Sequence, residues 1–193
     1  YGTYQLGNQD ARSSTLASGT GTTQAHVISA LATNSASGAV VSGSTAGSLV
    51  LNGAISTATV AAAGNDSAKS LAQKINNAGT GIRADAKTDA IVTLSNHSFS
   101  LAVSGNGSAT INFTVSGGDL NAAVNAFNDK SGQTGVTAKL VNNNTALQLT
   151  ASDGSDIMVV DNGMASGATL AVSGAGTLAS TGTYNTSGAG VRI

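Results

Sequence analysis

The feature that most constrains this chain is an internal repeat, in which a helix-and-strand pattern occurs twice between residues 68 and 149. Two sets of four apolar residues share the spacing of one helix face and lie 52 residues apart: Ala68, Leu71, Ala72 and Ile75, then Leu120, Ala123, Val124 and Phe127. Thr80–Ala84 and Thr134–Ala138 share the order Thr-Gly-apolar-x-Ala at an offset of 54, and Ala90–Thr93 matches Ala146–Leu149 at 56. Because the offset grows only at expected loops, the pattern indicates a duplicated hairpin–helix–hairpin module.

The first copy begins with a hairpin and a helix. Leu49–Leu51 runs into Asn52-Gly53, a dipeptide that favours a two-residue type I′ turn because both residues accept a positive φ. A helix over about 66–78 follows, and Gly79 suits the left-handed conformation past its end. Three residues offer a side-chain oxygen as its N-cap: Asn65, Asp66 and Ser67.

Strands follow each helix, and the second copy repeats the order. Alternating apolar residues predict strands near Ile82–Ala86 and Ile91–Leu94. In the second copy a turn at Gly105–Gly107 precedes an alternating strand, and Asp119 is a candidate cap for a helix over about 119–130.

These elements predict an α+β fold that is mostly β, with antiparallel sheets and two short covering helices in a tandem hairpin–helix–hairpin repeat. A helix with only four inward-facing residues must lie on a sheet to be stable. Leu, Ile, Val and Phe total 40 of the 193 residues, so we expect a lean core concentrated in the repeat, with Leu71, Ile75 and Phe127 buried. We divide the chain into a strand-poor N-terminal part, two modules and returning C-terminal strands: 1–47, 48–96, 97–160 and 161–193.

Charge, hydropathy and cysteine content exclude several classes of function. A net charge of −1 with eight basic residues gives no electrostatic footprint for nucleic acid or an anionic membrane. No apolar run approaches the roughly 18 residues of a transmembrane helix, and no signal-peptide pattern occurs at the start of the chain. Because there is no Cys, disulfides, thiol catalysis and Cys-based zinc sites are excluded.

The titratable residues form no catalytic or metal-binding pattern. His26 and His97 lie outside any metal-ligand motif, and the chain has no Glu for a His-Glu-x-x-His site. The acids of Asp153–Asp156 and Asp161–Gly163 are clustered, but their spacing fits turns better than a calcium loop. We therefore expect no enzymatic activity, no cofactor and no metal.

One combination of residues carries a resemblance to a known family. Asn52-Gly53, a helix ending in Lys74-Ile75-Asn76, and Thr80–Ala84 resemble the IN motif of bacterial flagellins and hook-associated proteins. The second copy is similar through Phe127-Asn128 and Thr134–Ala138, with Phe where Ile is usual and Gly105–Gly107 in place of the Asn-Gly hairpin. The positions that we assign to the motif and its helix faces are Leu49, Leu51, Asn52, Gly53, Leu71, Ile75, Asn76, Gly81, Ile82, Ala84, Leu120, Val124, Phe127, Gly135, Val136 and Ala138.

The resemblance implies an outer, variable region of a flagellin, exported by the flagellar route and displayed outside the cell on the filament. The long helices through which flagellins polymerise are not in these 193 residues, so we expect the chain alone to be a monomer with its two ends close together. Tyr4–Gly7 resembles the short strand at which flagellins leave their helical spoke domain. O-linked glycans on the many hydroxyls are a further expectation from the family.

Two alternatives stay open at the level of sequence. The chain could belong to a hook-associated or filament-cap protein, because the motif is shared with hook-associated proteins. A secreted carbohydrate-binding or adhesive β module would need clustered aromatic rings for stacking on sugars. The chain has only six Phe and Tyr residues, and Tyr1, Tyr4 and Tyr184 lie near its ends, which argues against that module.

Overall fold

A computed structural model of the chain describes residues 33–34, 46–172, 176–179 and 190–193. These residues contain twelve strands and three helices. The strands are β1 Thr33–Asn34, β2 Gly47–Asn52, β3 Thr57–Ala62, β4 Thr88–Leu94, β5 Ser98–Ser104, β6 Ser108–Thr114, β7 Val136–Val141, β8 Ala146–Ala151, β9 Met158–Asp161, β10 Thr169–Val172, β11 Gly176–Ala179 and β12 Gly190–Arg192. The helices are α1 Ala68–Asn77, α2 Asn121–Asp129 and α3 Ser131–Thr134.

The described strands form three sheets, and every neighbouring pair is antiparallel. One five-stranded sheet has the order β1-β12-β9-β5-β6, and the second has the order β11-β10-β4-β8-β7. The third sheet contains β2 and β3 alone. The predicted α+β class, mostly β with antiparallel sheets and short helices, is therefore confirmed.

One hydrophobic core joins the two five-stranded sheets and α2. Leu101 of β5 and Leu149 of β8 are both fully buried in it. The ring of Phe127 on α2 is also fully buried, with its centroid 6.0 Å from that of Phe113, which in turn stacks on Phe99 at 5.0 Å. The expected burial of Phe127 is confirmed.

The first copy of the helix is less deeply placed than the second. α1 contains no buried residue, and Leu71 and Ile75 are half-buried. Our expectation that these two side chains are buried is wrong. The physical reason is that α1 contacts β3, a strand of the two-stranded sheet, rather than the large core that receives α2.

The connection between β2 and β3 also differs from the prediction. Asn52 pairs with Thr57, so residues 53–56 form a four-residue connection. The N–H of Gly53 donates to the carbonyl of Ser56 at 3.1 Å, and the φ of Gly53 is not positive. The predicted two-residue type I′ turn is wrong, because a contact of Gly53 with the distant Thr80 decides the local conformation.

The ends of α1 follow the prediction. Ser67 is the N-cap, and its hydroxyl accepts the N–H of Ser70 at 3.1 Å, which satisfies one of the free donors of the first turn. Gly79 has the left-handed conformation, with a φ of 66°.

The start of α2 is displaced by one residue from the prediction. Leu120 holds the N-cap position and makes no side-chain cap, whereas the Asp119 carboxylate accepts the N–H of Asn121 at 2.9 Å. Asp119 is therefore not the N-cap itself. The short helix α3, which periodicity did not predict, extends the connection to β7.

The two copies diverge after their helices. The second copy forms both hairpins, β5–β6 before α2 and β7–β8 after it. In the first copy residues 81–87 form no strand, and β4 pairs with β8 on one side and β10 on the other. The hairpin that we expected after α1 is thus replaced by pairing between the copies. The division of the chain into four parts stays a prediction.

Three expectations concern residues that the structure does not describe: the strand at Tyr4–Gly7, the environment of His26, and the distance between the two ends of the chain. Within the described ranges no helix has the length and apolar character needed to cross a membrane.

Candidate functional site

The strongest candidate is the repeat motif itself, which fixes its helix to the following segment through an asparagine side chain. In the first copy the amide of Asn76 donates through Nδ2 to the carbonyl of Ala84 and accepts its N–H through Oδ1, both at 2.8 Å. In the second copy Asn128 makes the same pair of bonds to Ala138, at 2.9 Å and 2.8 Å. Each amide therefore pairs with one residue of an extended chain as a neighbouring strand would. We call this paired contact the Asn–Ala clamp.

A buried threonine begins the segment that each clamp holds. Thr80 and Thr134 are fully buried, and their hydroxyls accept the N–H of Ile82 at 3.3 Å and of Val136 at 3.1 Å. This contact spans two residues and satisfies a backbone donor at the turn, as serine and threonine side chains commonly do.

The glycine after each threonine accounts for the Thr-Gly dipeptide. Gly81 has a φ of 84° and Gly135 a φ of 72°. Residues with a Cβ rarely adopt this left-handed conformation, so glycine is required at both positions.

The tip of each hairpin contacts the carbonyl of the buried threonine in its own copy. The N–H of Ile55 donates to the Thr80 carbonyl at 3.0 Å, and the N–H of Gly107 donates to the Thr134 carbonyl at 3.4 Å. A Cβ on Gly53 would lie 1.9 Å from the Thr80 oxygen, and one on Gly105 would lie 2.5 Å from the Thr134 oxygen. Glycine is needed at both tips because the hairpin backbone lies directly against the carbonyl.

The other assigned positions support these contacts from the apolar side. Leu51, Ala84, Leu120, Phe127, Val136 and Ala138 are buried, and Leu49, Leu71, Ile75, Ile82 and Val124 are half-buried. Asn52 is exposed, and its Oδ1 accepts the hydroxyl of Thr57 at 3.2 Å. Sequence reasoning omitted the buried threonines, Asn128 and Gly105 from the assigned positions. The offset of the repeat could have identified them, since each lies 52 or 54 residues from its counterpart.

The acidic cluster forms turns and ion pairs. Asp153 accepts the Lys69 ammonium at 2.7 Å and both the N–H and the hydroxyl of Ser155, at 3.0 Å and 2.8 Å. The hydrogen bond from Lys69, together with the N–H of Ser155, lowers the pKa of Asp153 to about 2 from the usual 3.8. Asp156 binds Arg192 at 2.6 Å, and the Asp161 carboxylate accepts the N–H of Gly163 at 2.8 Å.

Each of these carboxylates thus has its own partners, and among the described residues no three His, Cys, Asp or Glu side chains lie close enough to hold a metal. Nδ1 of His97 and the hydroxyl of Ser95 form a hydrogen bond of 2.9 Å. The same hydroxyl accepts the N–H of Thr169, at the start of β10. A cleft of about 370 Å³ between β6 and α2 contains Asp129 and Lys130 as its titratable residues. Ser95 and His97 bring a hydroxyl and an imidazole together, but among the described residues no hydrogen bond to the other ring nitrogen orients the base, and the cleft contains no such pair.

Comparison with known proteins adds no relative to this description, since no protein-family model and no curated protein sequence matches the chain.

Proposed function

We propose that this chain is the outer, surface-exposed region of a bacterial flagellar filament protein and that its role is structural. The observation that carries the proposal is the duplicated Asn–Ala clamp. The residues through which the sequence resembles the flagellin IN motif include the two that make it, the helix-terminal Asn and the Ala. The Thr-Gly pair of the motif begins the segment that the clamp holds. A motif whose polar atoms bind one another is suited to holding a surface domain in shape.

The distribution of polar and aromatic groups also favours a structural role. The three aromatic rings with described side chains, Phe99, Phe113 and Phe127, are all buried in the core. Rings that stack on sugars need an exposed face, so these three provide no support for a carbohydrate-binding module. An enzyme would need convergent titratable groups with shifted pKa values in one cleft, and the lowered pKa of Asp153 arises instead from an ion pair that joins two elements.

In this proposal the chain reaches the cell exterior through the flagellar export route, and polymerisation uses helical regions outside these 193 residues. The exposed hydroxyls of strands such as β6 are candidate acceptors for O-linked glycans. The charge-poor surface, with a net charge of −1, suits display rather than binding of nucleic acid or lipid.

Immunogold electron microscopy of the source cells tests the proposal. Antibodies raised against the purified chain should label the flagellar filament along its length. Antibodies absorbed beforehand with the same chain serve as the control and should leave the filament unlabelled.

The position of the label separates the alternatives. Label confined to the hook–filament junction or the filament tip would replace the flagellin assignment with a hook-associated or cap protein. Label on the cell body alone, with bare filaments, would contradict a flagellar role.

A further inference from the structure

Among the described residues, the first copy has no strand paired in the position that β8 occupies beside β7 in the second copy. Residues 82–87 correspond to β7, Val136–Val141, at the offset of 54. β7 pairs along its length with β8. In the first copy β4 begins directly after residue 87 and pairs with β8 and β10. It therefore does not fold back onto residues 82–87. We call residues 82–87 the open segment.

The clamp fixes which backbone groups of the open segment face outward. Asn76 occupies both backbone groups of Ala84, just as Asn128 occupies those of Ala138. In an extended chain the N–H and C=O groups of successive residues point to opposite sides. The groups of Arg83 and Asp85 therefore point away from α1, as those of Thr137 and Lys139 point toward β8.

These outward groups have no partner within the described part of the chain. No hydrogen bond involves the backbone of Arg83 or Asp85. The exposure of residues 82–87 alternates as in a strand, with the odd-numbered side chains exposed. The side chains of Arg83 and Asp85 are 84 % and 83 % exposed, with Nε and Oδ1 3.9 Å apart, so the face that carries them is open to solvent.

We propose that the open segment pairs, antiparallel, with the open segment of a second copy of this chain. A two-fold axis through Ala84 places Arg83 of each copy opposite Asp85 of the other. Both members of that pair have outward backbone groups, so they exchange two hydrogen bonds, as an antiparallel ladder requires. Their opposite charges lie on the same face and attract each other.

The charge pattern of the open segment favours a second copy of this chain as its partner. The sequence Arg83-Ala84-Asp85 is complementary to itself only when the two strands run antiparallel, and the resulting interface is the same patch on both copies. A pair of six-residue strands is smaller than a stable interface, so free chains should associate weakly. Copies held side by side on a common scaffold would pair more readily, because the effective concentration is high.

Disulfide cross-linking tests the register directly, because the chain contains no Cys. Arg83→Cys and Asp85→Cys chains are mixed in equal amounts at high concentration and oxidised. Opposite residues in a hydrogen-bonded pair have Cα atoms about 5.5 Å apart, which lies within the range for a disulfide. We expect the mixed dimer to exceed the half of all dimers that random pairing would give.

Absence of dimer, or dimers in random proportion, would overturn the proposal.

Charge exchange provides a second measurement by sedimentation on chains without Cys. Arg83→Asp and Asp85→Arg should each abolish dimerisation, and the double variant should restore it. Failure of the double variant to restore the dimer would also overturn the proposal. Because both side chains are exposed, circular dichroism should show an unchanged fold in every variant. The pairing does not rest on a flagellar role, so either proposal can fail alone.

Discussion

At the scale of single residues, the side-chain amides of Asn76 and Asn128 each make the same pair of hydrogen bonds to one residue of the following segment. Each asparagine and each alanine was recognisable in the sequence as part of a motif, but the contact between them was not. Helix periodicity describes which face of a helix is apolar, and an asparagine at the helix end gives no periodic signal. The bonds to Ala84 and Ala138 became evident only when the backbone of the following segment was placed.

We predict that Asn128→Ala lowers the free energy of unfolding by about 1–3 kcal/mol, because it leaves the N–H and C=O of Ala138 without their partner. Urea denaturation measures the change. Asn125→Ala, on the same helix and with an exposed side chain, is the matched control. It should leave stability unchanged or slightly raised, since Ala favours helix. Equal effects of the two substitutions would contradict a special role for Asn128.

We also predict that Gly105→Ala destabilises the protein by about 1–3 kcal/mol. Its Cβ would lie 2.5 Å from the Thr134 carbonyl oxygen and 2.9 Å from a methyl group of Val136, so the hairpin tip must shift. Gly132→Ala is the control, because a Cβ there meets nothing within 4 Å and φ is not positive. That control should be neutral or stabilising, and thermal denaturation of both variants gives the comparison.

At the scale of elements, the two longer helices could be predicted, whereas α3 and the strand partners could not. A period of 3.6 with Ser67 among three candidate caps is local information, and α1 begins at Ala68, two residues after the predicted start near 66. The alternation of Ile91–Leu94 predicts a strand but does not say which strand lies beside it. Pairing of β4 with β8 brings together residues about 60 positions apart, as Asp89 and Thr150 show. The prediction of a two-residue turn at Gly53 was wrong for the same reason, because the distant carbonyl of Thr80 decides the conformation of the hairpin tip.

The packing of α2 on the sheets gives a prediction for Phe127. Its ring is fully buried against Phe113, so Phe127→Ala should lower the free energy of unfolding by about 3–5 kcal/mol. Phe127→Leu keeps much of the apolar volume and should have a smaller effect. An unchanged denaturation midpoint for Phe127→Ala would show that α2 does not pack on the core in solution.

At the scale of the whole molecule, the turn after β8 attaches the first copy to the rest. The N–H of Lys69 at the start of α1 donates to the Gly154 carbonyl at 2.9 Å, and its ammonium binds Asp153. A Cβ on Gly154 would lie 2.2 Å from that of Ala86, so this turn lies directly against the open segment. One ion pair and one backbone hydrogen bond therefore join α1, which has no buried side chain, to the second copy, in addition to the clamp at Asn76.

This attachment predicts a loss of stability in acid. The folded-state pKa of Asp153 is lowered to about 2, below the usual 3.8, so its contribution is complete above pH 3.8 and disappears as the pH falls through about 2. Asp153→Asn and Lys69→Met should each reduce the fall in urea midpoint over this range. The double variant should show no further reduction, and additive effects would indicate that the two side chains act separately.

The two copies differ in the number of residues between the helix and the buried threonine: two, 78–79, in the first and four, 130–133, in the second, where they include most of α3. Both clamps are present despite this difference in spacing. A foreign peptide grafted between Ser131 and Gly132 would open the single turn of α3, at a position where a Cβ on Gly132 meets no neighbour. The same graft at Asn106 would separate a hairpin tip from the carbonyl it rests on. For a protein proposed to be displayed in many copies, this connection is the place to present an antigen.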